Sequence, residues 1–362
     1  MKITIINSKG YWKNGWVNSQ TDLQSLVESL ERNDFNVEVF EVTSLDSLEK
    51  ILKDKDAHSL ILPNAYYVNR HEGSKETVWM VDVIESYNIP YIGSGSKTLQ
   101  GVLQKDVCQT ILKENDIPIP KFAIVPQSQA GNEKAILDYI GLTYPAIVKL
   151  NAESGSMGMD ENSLVKNQNA AIVQIRKMMQ RYQGDVIIEE FLPSDDITIG
   201  YLQGKNGESK LLTTWYQVSD KPGIKSIMGH KERFMPWGGV KQLTQVKDKH
   251  ILEQVEKLIP KVCEILKIKD ITRIDGRLDK NGQLRIFDVN GFPALSFPES
   301  VSVQQGLTCF PDYDSYYVFD TLINTIVLSA ANRYNMIVPD AVNLNNFFTL
   351  KSSHKDGILA LK

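Results

Sequence analysis

Apolar and polar positions along the first part of the chain follow two rhythms, and their alternation predicts a βα layer. Residues 3–7 form a short β-branched run, and Leu23, Leu26, Val27 and Leu30 then recur at helical spacing. Positions 37–42 alternate as a half-buried strand does, 45–52 is helical again, and Leu60-Ile61-Leu62 is a third strand ended by Pro63-Asn64. A helix over 79–87 and a return to the sheet over 89–93 complete the series. Strands and helices alternating in this way imply a parallel sheet covered by helices.

Beyond residue 97 the rhythm changes. A helix over 99–115 runs into Ile117-Pro118-Ile119-Pro120, which no helix accommodates. Strands over 122–125 and 146–150, the small-residue turn 153–158 and a helix over 170–182 make a second block. A third opens at Val186, carries a helix over 251–266, and reaches two strands within 271–290 around the Lys280-Asn281-Gly282 turn. An amphipathic helix over 316–332 follows. The pattern divides the chain into 1–97, 98–185, 186–335 and an extension, 336–362, in which the asparagine-rich run 343–348 carries no functional pattern.

A length of 362 residues suits two or three packed domains, and 42% hydrophobic with 23% charged residues is the balance of a soluble globular protein. The net charge of -4, with no basic face or tail, argues against a general nucleic-acid binder. No apolar run approaches the roughly 20 residues that cross a bilayer. The start, Met1 to Ile6, reads as a first strand and not a signal peptide. Cys108, Cys263 and Cys309 are too scattered for a metal site or a disulfide framework, which fits a reducing cytoplasm. His58, His250 and His354 share no metal spacing.

Four features carry chemistry, in one order. Lys149 ends an apolar strand and faces the turn Glu153-Ser154-Gly155-Ser156-Met157-Gly158, a point charge beside backbone N–H groups that suits phosphate. Glu189-Glu190-Phe191-Leu192 follows another apolar strand, with Asp196 shortly after, so backbone groups can meet an adenine edge while a carboxylate takes ribose hydroxyls. Arg273-Ile274-Asp275 and Asp288-Val289-Asn290 lie on strands that the glycine turn sets side by side, with Asp288 and Asn290 on one face. With Asp275 they make an oxygen cluster of the kind magnesium takes alongside phosphates, and Arg273 can neutralise transition-state charge. The loop Gly291-Phe292-Pro293-Ala294-Leu295-Ser296 follows at once, where a backbone N–H such as that of Ala294 can serve an oxyanion.

From about residue 89 to residue 331 this series resembles the ATP-grasp superfamily, most closely its D-alanine–D-alanine ligase branch. The resemblance implies an α/β fold with an N-terminal Rossmann-like domain and two α+β subdomains that hold ATP between them. It implies that Lys105 and Lys149 contact ATP, that 153–159 is a flap over the phosphates, and that Glu189, Glu190, Phe191 and Leu192 form the adenine hinge with Asp196 at the ribose. Arg273 matches the family arginine, and Asp275, Asp288 and Asn290 match the ligands of two magnesium ions. ATP would phosphorylate a carboxylate, and an amine would attack the acyl-phosphate to release ADP and phosphate.

Departures fall at the positions that would read substrate. The first loop, 9–16, has no acid where the branch holds an amine with glutamate. His71 and Glu76 keep the spacing of a family pair without its glycines, and Gly155 stands in place of a serine. Asp288 replaces a glutamate, Ala294 a glycine, and Glu299-Ser300 a Ser-Leu pair that cradles a carboxylate. Glu299 would repel such a group, so the amine substrate is expected to carry a neutral or cationic tail. The loop between Trp215 and Trp237 holds Lys221, Lys225, His230, Lys231 and Arg233, and Lys225 or Lys231 is expected to reach the terminal phosphate. The reading is a carboxylate–amine ligase acting on small molecules, with an amino acid among them. D-alanine–D-alanine ligase, a ligase loading an amino acid onto an acidic carrier protein, and a non-catalytic ATP-binding scaffold are its alternatives. A homodimer is the family's habit.

Overall fold

The structure, a computed structural model, describes residues 1–8, 20–55, 58–205, 207–218, 235–238, 241–350 and 360–361. Its first layer is a parallel sheet in which β1 (Lys2–Ser8) lies between β2 (Asn36–Val42) and β3 (Ser59–Pro63), joined through α1 (Gln20–Arg32) and α2 (Leu45–Lys53). The expected fourth strand at 89–93 shrinks to one bridge, Ile61 to Tyr91. A hairpin that the pattern did not predict, β4 (Tyr67–Asn69) with β5 (Thr77–Trp79), precedes α3 (Met80–Ser86).

Where one helix is expected over 99–115 there are two, α4 (Ser96–Leu103) and α5 (Lys105–Glu114), because Gln104 leaves the helical region at φ -81°, ψ 99°. The second layer is the antiparallel sheet β6-β9-β7-β8, built from β6 (Phe122–Val125), β7 (Ala146–Leu150), β8 (Leu164–Val165) and β9 (Val186–Glu190). It is backed by α6 (Glu133–Ile140), which the pattern missed, and α7 (Gln168–Tyr182). Because β9 hydrogen-bonds to both β6 and β7, residues 186–190 belong to this sheet, and a division between 185 and 186 cuts through it.

The third layer is a larger antiparallel sheet, β12-β11-β10-β13-β14. It contains β10 (Asp196–Gln203), β11 (Ser209–Val218), β12 (Lys241–Gln245), β13 (Ile271–Leu278) and β14 (Leu284–Asn290), with α8 (Lys249–Ile265) on one face. After α9 (Val301–Cys309) comes α10 (Ser315–Arg333), expected to be amphipathic but buried almost all round from Val318 to Ala331. The cause is position: α10 packs against α1 on one side and β10 on another, so no face is left to water. The segment after it folds back through α11 (Asp340–Leu344), and Val342 and Phe347 are fully buried in the core shared with the first layer. Residues 336–350 are thus part of that core and not a separate extension. A short β15 (Ala360–Leu361) pairs with β11. No described helix is long and apolar enough to cross a membrane.

Candidate active site

The break at Gln104 is the first step in building the site. Asn151, just past β7, receives the start of α5: its carbonyl accepts from the Lys105 amide at 3.1 Å and its side-chain oxygen from the Asp106 amide at 3.0 Å. Its own amide donates to the Asp106 carboxylate at 2.6 Å. These bonds satisfy orphan N–H groups of a helix start and tie α5 to the end of β7. Lys105 consequently reaches into the space between the second and third layers, 2.6 Å from the Glu153 carbonyl and 3.9 Å from Asp288.

Lys149, near the end of β7, is buried with its ammonium 2.6 Å from Glu189 on the adjacent β9. Gln109 of α5 donates to the other Glu189 oxygen, and the Lys149 ammonium lies 4.9 Å from the centre of the Phe287 ring. Both oxygens of this buried side chain are thus engaged, so neither is left without a polar partner. In the turn that follows, Gly155 and Ser156 both adopt left-handed conformations, at φ 65° and 56°. Gly158 has a packing role instead: a Cβ there would stand 2.9 Å from the Tyr182 ring on α7, and it does not line the cavity.

From the third layer, antiparallel pairing sets Arg273 opposite Asn290 and Asp275 opposite Asp288. Arg273 holds Asp275 at 3.0 Å, and Thr198 donates to the other Asp275 oxygen at 2.5 Å. The Asn290 amide donates to Asp275 and to Asp288, 3.4 Å from each. Among the described residues no three His, Cys, Asp or Glu side chains gather closely enough to hold a metal. Two carboxylates and an amide nevertheless fit magnesium, which takes one or two protein carboxylates and completes its shell with phosphates and water.

These residues line one cavity between the two sheets. Lys105, Lys149, Glu153, Ser154, Gly155 and Ser156 come from one side, and Arg273, Asp275, Asp288 and Asn290 from the other. Glu189, Glu190, Phe191, Leu192 and Asp196 close its end. Arg277, which sequence reasoning passed over, also lines it; the signal was its parity with Arg273 and Asp275 on β13. Asp196 is paired with Arg277, burial pushing its carboxyl up while the guanidinium opposes the rise.

A second chamber continues from the first, sharing Ser154, Gly155, Tyr216, Arg273 and Asn290. Ala294, Glu299 and Ser300 line it, and so do Asp22, Tyr66, Trp237 and Lys241, none of which the sequence reading proposed as site residues. The Ser300 hydroxyl caps α9, accepting from the Val303 amide at 3.4 Å. Glu299 is exposed, with its backbone carbonyl accepting from the Trp237 indole at 2.9 Å. Trp237 stacks on Tyr216 with ring centres 5.6 Å apart, and the Lys241 ammonium lies 4.5 Å from the Trp237 ring centre.

His71 and Glu76 are not brought to either chamber. Pairing of Asn69 with Thr77 makes the residues between them the tip of a hairpin, exposed, where Glu76 meets Arg70 at 3.2 Å. Their expected substrate contact is therefore withdrawn. Lys225, with the rest of the basic loop, and the first loop 9–16 lie outside the described residues.

Two sheets that grip one cavity, a lysine on one with a second on the adjoining helix α5, and an arginine with paired acids on the other, define an ATP-grasp enzyme, an ADP-forming ligase. Within that class, a family model described as the D-ala D-ala ligase C-terminus matches residues 111–308, and the chain belongs to this family. It is 23% identical over 236 residues to a D-alanine–D-alanine ligase of Aquifex aeolicus, covering 65% of this chain and 74% of that one. With D-alanine–D-alanine ligase A of Bacillus cereus it shares 26% identity over 271 residues, 75% of this chain and 81% of the relative. Among solved structures, the D-alanine–D-alanine ligase from Bacillus anthracis complexed with ATP superposes with a TM-score of 0.68 at 18% identity, covering 92% and 99% of the two chains. The VanG D-Ala:D-Ser ligase from Enterococcus faecalis superposes at 0.62 and 15% identity, covering 91% and 99%. These superpositions carry the fold.

Proposed function

We propose that the chain joins a carboxylate to an amine through an acyl-phosphate, with an amino acid among its substrates and ATP cleaved to ADP and phosphate. The supporting observation is the continuity of the two chambers through Arg273 and Asn290, which would bring the phosphate end of a nucleotide beside a separate small-molecule space. Lys105, Lys149 and the backbone of 153–156 would hold the phosphates, with Glu190, Phe191 and Leu192 at the base and Asp196 at the ribose. Asp275, Asp288 and Asn290 would hold magnesium, which neutralises phosphate charge when bound. Arg273 would orient the acyl-phosphate, and the backbone around Ala294 would donate to its oxyanion. Lys225 or Lys231 remains our candidate for the terminal phosphate.

The relatives named above are described as joining D-alanine to D-alanine or to D-serine, so acceptor identity varies within the family. Asp22 on the chamber wall can take the ammonium of an amino acid, a part for which loop 9–16 offers no acid. Glu299 at the rim disfavours a second free carboxylate and favours an acceptor with a neutral or cationic tail. The test is ADP release across pairs of amino acids and amino amides, with product masses, for the wild type and Glu299→Ser. An acceptor profile unchanged by the substitution would remove the Glu299 part. ATP binding with no turnover on any pair would favour the carrier-protein or scaffold reading. Preferential formation of D-alanyl-D-alanine would favour the family's own reaction.

A further inference from the structure

We infer that Arg277 is a positioning residue that organises the adenosine end of the cavity, holding Asp196 for a ribose diol while bracing the hinge behind the base. The inference rests on the reading that this cavity takes ATP, and it concerns a residue to which that reading gives no part.

One guanidinium makes three contacts there. Its Nε donates to the Asp196 carboxylate, its Nη1 donates to the Leu192 carbonyl at 3.2 Å, and its centre lies 4.3 Å from the middle of the Phe191 ring. Asp196, Leu192 and Phe191 all line the cavity, and Arg277 is itself only 7% exposed. The arrangement follows from strand pairing. Ile197 of β10 lies opposite Gly276 of β13, so the next pair outward in an antiparallel ladder is Asp196 with Arg277. A second tie runs alongside, since Ser194 accepts from the Leu278 amide at 2.8 Å. The hinge between the two sheets is therefore fastened to β13 twice, by the Arg277 side chain and by the Ser194 hydroxyl on a β13 backbone amide.

The chemistry selects the ligand class. A vicinal diol offers two O–H donors, and an ionised carboxylate is an acceptor-only group that can receive both. Burial alone favours the neutral acid, which would offer a donor of its own and accept less well. A guanidinium bonded at one edge of the carboxylate opposes that rise, favours the charged form and leaves lone pairs for hydroxyls. Its stacking on Phe191 and its bond to Leu192 link ribose recognition to the shape of the base pocket.

Direct binding of ATP and 2′-deoxy-ATP to the whole protein, measured by calorimetry without carboxylate or amine, tests this. Arg277→Met should weaken ATP binding about tenfold, the scale of a lost charge-assisted contact, and bring ATP and 2′-deoxy-ATP close together in affinity. Asp196→Asn should narrow the same preference, with the double variant little worse than either single one. Arg277→Lys, which restores charge without the fork, should recover part of the diol preference but less of the overall affinity. Unfolding of Arg277→Met leaves the test to Arg277→Lys and Asp196→Asn. A wild-type preference retained in full by the three single variants would overturn the role of Arg277. A wild type that binds neither nucleotide would instead overturn the reading on which it rests.

Discussion

The Tyr66 hydroxyl bridges both backbone polar groups of Phe292, accepting from its amide and donating to its carbonyl at 3.1 Å each. Tyr66 follows β3 in the first layer and Phe292 follows β14 in the third, so one phenol fixes the 291–296 loop against the domain that faces it. Burial raises that phenol to about 12, which keeps it a neutral donor. Tyr66→Phe should leave two backbone groups short of a partner and lower stability by about 1–3 kcal/mol. If the loop serves the reaction, kcat should fall more than KM rises; steady-state kinetics on the folded variant decide. An unchanged kcat would sink the link between the loop and turnover.

Gly93 supports the same residue from behind. Its φ of 101° is one that side chains rarely adopt, and a Cβ there would stand 2.8 Å from the Phe292 ring. Gly93→Ala should therefore cost about 1–3 kcal/mol through strain and overpacking. It should also reduce turnover by displacing Phe292. A variant as stable and as active as the wild type would show that Phe292 has room to move.

Asp288 has a double environment, 3.9 Å from Lys105 and 3.4 Å from the Asn290 amide. As a proposed metal ligand, its replacement by alanine should lower kcat at least ~100-fold with the circular-dichroism spectrum unchanged. Asp288→Glu should keep part of the activity at raised magnesium. Full activity in Asp288→Ala, measured as ADP release, would remove the residue from the metal assignment.

Asp270 and Arg333 make a different kind of contact, a pair 2.6 Å long between the buried carboxylate just before β13 and the half-buried guanidinium at the end of α10. Asp270 is wholly buried and also receives bonds from Ser329 at 2.8 Å and the Gly93 amide at 2.7 Å. Burial holds its carboxyl above the ordinary 3.8, with Arg333 opposing the rise. A folded value above the unfolded one means the native state binds this proton more tightly, so the group's contribution to stability falls as pH rises through the folded value. Arg333→Met would raise that value further and leave a buried charge uncompensated, a loss of about 3–5 kcal/mol. Denaturant titrations should show the loss greatest at alkaline pH and smaller in mild acid, where the carboxyl takes a proton. A loss independent of pH would show that Arg333 acts by packing alone.

Much of the site was legible because local patterns place it. Lys149 closes an apolar strand before a small-residue turn, and charged residues alternate with apolar ones through 271–278 and 286–290. Both are statements about one face of one element, which periodicity reports directly. Substrate-facing positions were less legible. Ala294 and Glu299 follow Asn290 in one segment, but the second chamber also draws Asp22, Tyr66, Tyr216 and Lys241 from segments far apart in the chain, and no spacing relates them.

The sequence by itself determined the βα opening, the paired strands around Lys280-Asn281-Gly282 and the order of the cationic and acidic residues, since these depend on neighbours within a turn or a hairpin. Only the tertiary structure decided the rest. Gln104 breaks a helix because Asn151, on another element, receives the new helix start. Antiparallel pairing sets Lys149 diagonal to Glu189 on one face of its sheet, and Asp196 directly across from Arg277, and each forms its ion pair there. His71 and Glu76 keep a suggestive spacing yet end on an exposed hairpin tip, and α10 loses its amphipathic character between two packed layers. In each case the deciding partner lies outside the segment, where hydrogen-bond satisfaction and burial, not local preference, choose the outcome.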